Sequence, residues 1–91
     1  MSDRAEVVPE EVRVFEGSLT RTTAGIQDSL GLLRMDVSRL GEAWRDQEYV
    51  RFCEEFDVVL RALDTFVSRS QEYSAYLLRK AGAAEDYIAT R

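Results

Sequence analysis

Few side chains in this sequence could do chemistry, and their spacing works against them. Acidic neighbours occur twice, Glu54 with Glu55 and Glu85 with Asp86, and a pair of carboxylates at one site can act as general acid and base. Adjacent residues on a helix point in different directions, so neither pair converges on a substrate, and a solvated charged face is the simpler reading. Cys53 is the single cysteine, and a thiolate there would be a nucleophile; with no histidine in the chain and only Arg51 close in sequence, nothing clusters to stabilise it. A small, buried or half-buried apolar residue is its expected role. Tyr73, Tyr76 and Tyr87 read as core edges or interface anchors, with Tyr76 further from the helix seam than Tyr73.

Composition removes further classes. Zero histidines exclude imidazole metal sites, histidine triads and histidine proton shuttles. One cysteine allows an intermolecular bridge but neither an internal disulfide nor a multi-cysteine zinc site. There is no glycine-rich phosphate loop and no metal-ligand cluster. The expectation is therefore no enzyme, no cofactor and no metal. A net charge of -5 disfavours nucleic acid as a partner. No apolar run approaches the roughly 18 residues that span a bilayer, and no basic segment precedes an apolar stretch at the N-terminus. No membrane insertion is expected, and a soluble chain that is cytoplasmic when synthesised.

The elements that must position these residues are helices. The sole proline is Pro9, and only five glycines are present in 91 residues, so little interrupts the chain after position 9. In the second half the apolar residues recur in steps of three and four: Tyr49, Phe52, Phe56, Val59, Leu63, Phe66, Ser70, Tyr73, Leu77, Ala81, Ala84 and Ile88. That spacing predicts one long amphipathic helix with a heptad-like stripe. Charged residues occupy the intervening positions, among them Asp57 and Arg61 as an i, i+4 pair. The first half carries a weaker stripe of Val12, Phe15, Leu19, Thr22, Ile26, Leu30, Leu33, Val37 and Leu40. Its two successive steps of four, Thr22 to Ile26 to Leu30, depart from heptad spacing. Gly17, Gly25 and Gly31 lower helix propensity, so this helix is expected to be less stable alone and frayed before about residue 18.

Between the stripes, Gly41 is expected to end helix 1 in the left-handed conformation, and Asp46 to cap helix 2 by accepting from the N–H of Glu48 or Tyr49. Trp44 would pack across the tip, recognise a partner, or both. The predicted organisation is all-α: a flexible N-terminus over 1–8, then one helical-hairpin domain over 9–91. Within it, helix 1 spans about 9–40, the turn 41–46 and helix 2 about 47–90. At 1.5 Å per residue the helices are about 48 Å and 65 Å long. Helix 2 should overhang helix 1 or bend near Gly82, leaving a free tail. Flanking the seam are Val14, Leu32 and Met35 on one helix and Val50, Cys53, Leu60, Val67 and Leu78 on the other, and these flanks need cover. Dimerisation into a four-helix bundle would supply it. The residues expected at that dimer or bundle interface are Phe15, Leu30, Leu33, Val37, Leu40, Phe52, Phe56, Val59, Leu63, Phe66, Tyr73 and Leu77.

A chain of this length with two long amphipathic helices and Trp44 in the connecting turn resembles the WXG-motif, ESAT-like family of small helical hairpins of type VII secretion. The resemblance spans about residues 9–90, with Trp44 at the family's tryptophan and Phe52 at an aromatic position eight residues later. Asp46 replaces the glycine of Trp-x-Gly. The resemblance implies a non-enzymatic homodimer, or heterodimer with a paired helical hairpin. It would be secreted without a signal peptide as an effector, or act as an adaptor with a secretion ATPase as a further partner. The family's tail signal, tyrosine followed four residues later by Asp or Glu, is not matched: the residues four beyond Tyr73, Tyr76 and Tyr87 are Leu77, Lys80 and Arg91. The alternative is an intracellular helical-bundle adaptor or scaffold that is not exported.

Overall fold

A computed structural model of the chain describes residues 6–90, so the N-terminal segment expected to be flexible lies, for residues 1–5, outside the described part. Two helices, α1 (Pro9–Ala43) and α2 (Gln47–Ala89), fold back on each other as an antiparallel hairpin. The rod measures 68 × 20 × 13 Å.

Helix α1 starts without a side-chain cap. Proline at its first position has no N–H to leave unsatisfied, and Glu10 and Glu11 face the positive end of the helix dipole. The carbonyl of Val8 takes the N–H groups of Glu11 at 3.0 Å and Val12 at 3.2 Å. From there the helix is unbroken through Gly17, Gly25 and Gly31, so its packed face outweighs their low propensity.

Its C-terminus corrects the sequence reading. No glycine among the described residues has positive φ, and α1 continues past Gly41 to Ala43. The chain leaves the helix at Trp44, in extended conformation, with the Trp44 N–H closing on Leu40 O at 2.9 Å. Gly41 has a different use. A Cβ there would stand 2.8 Å from the Tyr49 hydroxyl, which comes in from α2 to donate to Val37 O at 2.6 Å. Gly41 is thus a close-approach residue that lets a phenol reach a carbonyl of the opposite helix. Gly41→Ala is expected to displace Tyr49 and cost about 1–3 kcal/mol despite alanine's better helix propensity. A raised melting temperature would show that the phenol moves aside freely.

The seam between the helices is more regular than the hydrophobic pattern suggested. On α2 the buried and half-buried positions include Tyr49, Cys53, Phe56, Leu60, Leu63, Val67, Ser70, Ser74, Leu77, Ala81 and Ala84, an uninterrupted alternation of four and three. On α1 they include Val12, Glu16, Leu19, Thr23, Ile26, Leu30 and Val37. Thr23, not Thr22, faces the partner helix, so the two successive steps of four disappear. Cys53, Leu60 and Val67, expected on the flank, lie in the seam, whereas Phe52, Val59, Phe66 and Tyr73, expected in it, are exposed. The physical reason is that Cys53, Val67 and Ser74 are smaller than their exposed neighbours Phe52, Phe66 and Tyr73, which a reading weighted by side-chain size follows instead, and Leu60 is carried inward with them by the spacing. The buried core is a cluster of Leu30, Leu60 and Val67, with Ile26, Phe56 and Leu63 packed against it.

The tail also differs from expectation. Helix α2 continues without a break through Gly82 to Ala89. Its last turns are tied back to α1, because Arg13 donates from Nε and Nη2 to the two carboxylate oxygens of Glu85 at 2.8 and 2.7 Å.

Candidate functional site

Two features stand out for function, the tip of the hairpin and one of its broad faces. The tip is organised by Asp46. Its side chain caps α2 as the sequence implied, Oδ1 accepting from Glu48 N at 2.9 Å and Tyr49 N at 3.3 Å. The same oxygen also accepts from Trp44 Nε1 at 2.8 Å. One carboxylate oxygen therefore fixes both the start of the second helix and the orientation of the indole. The Trp44 ring then meets Tyr49 edge-on at 5.6 Å and Phe52 at 5.9 Å, and Phe52 stacks on Phe56 at 5.3 Å. An aromatic run thus descends from the tip along α2. The Tyr49 phenol is raised above its ordinary value, chiefly by hydrogen bonding to the Cys53 thiol and then by burial, and it stays a donor to Val37.

The two broad faces of the rod differ in kind. In an antiparallel helix pair, residues that directly follow one set of seam positions meet their counterparts on one side of the pair, and residues that precede the other set line the opposite side. On the first side the contacts are polar. Arg34 reaches Asp64 at 2.6 Å, Arg13 reaches Glu85, and Thr20 with Ser74 joins Glu16 of the seam. On the second side stand Phe15 of α1 and Phe52, Val59, Phe66 and Tyr73 of α2, the last four spaced seven apart and therefore in line.

Of the residues expected at a dimer or bundle interface, Leu30 is buried, and Val37, Phe56, Leu63 and Leu77 are half-buried within the hairpin's own seam. The other seven, Phe15, Leu33, Leu40, Phe52, Val59, Phe66 and Tyr73, are 37–57% exposed. The hairpin alone thus covers only part of the apolar stripe, and five of the seven, Phe15, Phe52, Val59, Phe66 and Tyr73, form an open strip along one face. Val14, Leu32, Met35 and Val58 are exposed elsewhere, and Val50 and Leu78 are exposed on the side that carries the ion pairs. Scattered single residues of that kind are ordinary, and it is the alignment of the strip that carries meaning.

The polar side holds the titrating groups that matter. Glu16 lies below the usual carboxylate range, first because Ser74 donates to it and then because Thr20 does, at 2.7 Å. Glu85 is lowered likewise, chiefly by the hydrogen bonds from Arg13. A carboxylate with a lower pKa folded than unfolded contributes stability above its unfolded value and loses it as protons bind. The melting temperature is therefore expected to fall as pH drops below about 4.5, the ordinary value of both groups. Both groups are solvated, so the effect is small and screened by salt. Glu16→Gln with Glu85→Gln should flatten the acid limb, and an unchanged pH profile in that variant would place its origin elsewhere.

Cys53 is half-buried in the seam beside Tyr49, and the adjacent carboxyl pairs lie on exposed helix surface. Among the described residues no group of three or more His, Cys, Asp or Glu side chains is arranged to hold a metal ion. No described helix is long and apolar enough to cross a membrane. Sequence reasoning did not anticipate the indole hydrogen bond to Asp46, the Tyr49 bridge to Val37 or the Glu16 cluster. Only the Trp-x-Asp spacing at the tip could have signalled the first. No family model, curated protein or solved structure matches the chain.

Proposed function

We propose that this chain is a non-enzymatic interaction protein that works as a dimer, two hairpins packing face to face as a four-helix bundle. Within that reading it is a WXG/ESAT-like small protein of a type VII-like secretion system, an effector or adaptor. The observation that carries the dimer is the strip of Phe15, Phe52, Val59, Phe66 and Tyr73 along one face, where the opposite face is crossed by the ion pairs of Arg13 with Glu85 and Arg34 with Asp64. Apolar surface in a line belongs against another surface, and a second hairpin presenting the same strip fits a rod of this shape. The partner is a second copy or a paired helical hairpin. Light scattering on the purified chain at micromolar concentration should give twice the chain mass. Phe66→Glu should give the single-chain mass while keeping the helical spectrum, because position 66 is exposed beside the hairpin's own seam. A folded wild-type monomer would sink the homodimer and leave the paired hairpin.

The secretion role draws support from Trp44 at the tip. Immunoblots of culture fractions, with and without the secretion ATPase, test it, and protein confined to cells in both strains would overturn export. A second reading, an adaptor that is not exported, is favoured by one observation: none of Tyr49, Tyr73, Tyr76 and Tyr87 has an acidic residue four positions on. A pull-down that recovers secretion components alone would count against that second reading.

A further inference from the structure

The seam is not uniform along its length. Its apolar core, Leu30, Leu60 and Val67 with Ile26, Phe56 and Leu63, occupies the half nearer the tip. Directly beyond it the helices meet through Thr23 and Ser70, which are 5% and 1% exposed. Neither hydroxyl has a hydrogen-bond partner, and neither oxygen touches solvent. A sealed, unpaired hydroxyl forfeits the bonds it makes in water, so this layer opposes closure of the hairpin. On its far side no leucine or valine is fully buried: Val12, Leu19 and Leu77 are half-buried, Ala81 is small, and the helices are tied by Glu16 with Ser74 and Thr20 and by Arg13 with Glu85. Exposed ion pairs and small side chains hold weakly compared with a buried leucine cluster. The layer has a positive use as well. Sliding the helices by a heptad would set Thr23 against Leu63 or Leu77, so the polar positions of the seam help fix register at a cost in stability.

We propose that the hairpin is built as two segments divided at the Thr23–Ser70 layer, and that the free-end segment, 9–22 with 71–89, separates as a unit while the tip segment stays paired. Opening relieves the two sealed hydroxyls and fully exposes Val12, Leu19 and Leu77, a short apolar face half-buried in the closed rod. The device lies within one chain's own seam, so it stands or falls independently of dimerisation.

Native-state hydrogen exchange on the full chain tests it. Amides on the free-end side are expected to exchange through one shared opening, about tenfold or more faster than those near Leu30 and Leu60, with a step at the layer. Thr23→Val with Ser70→Ala removes the sealed hydroxyls without adding bulk, and should slow free-end exchange until the step shrinks or vanishes. A smooth gradient of protection from the termini inward would overturn the proposal, since simple fraying produces that. So would a step that persists unchanged in the double variant.

Discussion

Leu60→Asp is expected to leave the chain unfolded at neutral pH, with its far-ultraviolet helical signal largely lost. Leu60 is 5% exposed and belongs to the buried apolar cluster, where it packs with Leu30 of the other helix. Two terms add. Removing the side chain alone costs about 2–5 kcal/mol. Placing an unpaired carboxylate in the vacated space costs several kcal/mol more, or forces it to take up a proton. A small domain is stable by only about 5 kcal/mol or somewhat more, so the sum exceeds what is available. The sign of the pH effect separates this cause from simple cavity formation. An aspartate forced neutral in the fold would have its pKa raised, so acid should restore part of the helical signal in Leu60→Asp, whereas Leu60→Ala should gain nothing from acid. The control is Val58→Asp, two residues earlier and 64% exposed, which should fold as the parent does. If Val58→Asp unfolds and Leu60→Asp does not, the seam has been assigned to the wrong face.

The second large effect is at the tip. Trp44→Ala removes a half-buried ring that packs on Tyr49 and Phe52 and donates to Asp46. A fully buried tryptophan cut to alanine costs about 3–5 kcal/mol, and half burial scales that to about 2–3 kcal/mol. Trp44→Phe dissects the sum. It keeps an aromatic ring over Phe52 and loses the indole N–H, a hydrogen bond to a charged acceptor worth about 1.5–3 kcal/mol at its upper reach and less where water competes. Chemical denaturation with both variants gives the two contributions. Equal losses would mean that the hydrogen bond to Asp46 carries the whole effect, and no loss in either would make Trp44 a surface residue kept for a partner.

How far the fold could be read in advance depended on which kind of residue carried the information. The cap at Asp46 and the helix start at Pro9 were legible because each is a local arrangement of a few consecutive residues. The hairpin was legible because both stripes are long and the turn is short. At Phe52, Phe66 and Tyr73 the hydrophobic pattern selects the larger ring beside the seam over Cys53, Val67 and Ser74, which face inward, and at Val59 the same register carries it away from Leu60. At Ser74 and Thr23 the inward residue is polar, which no hydrophobic pattern selects. Gly41 was assigned to a left-handed terminus because glycine after an apolar run suggests one; its actual use depends on Tyr49, eight residues away and on the other helix. The ion pairs Arg13 with Glu85 and Arg34 with Asp64 join residues far apart in sequence and depend on a register that side-chain types alone do not define.

The position of the lone tryptophan has a practical consequence. Trp44 sits at the closed end of a rod 68 Å long, held by Asp46 and flanked by Tyr49 and Phe52. Its emission is therefore a local optical probe of the tip, blind to events several turns away, while circular dichroism averages over both helices. If the rod opens from its free end, the two signals will part on heating, with ellipticity declining first and the indole spectrum shifting only when the last turns around the tip let go. The chain thus carries, without any added label, a means of timing which end yields first.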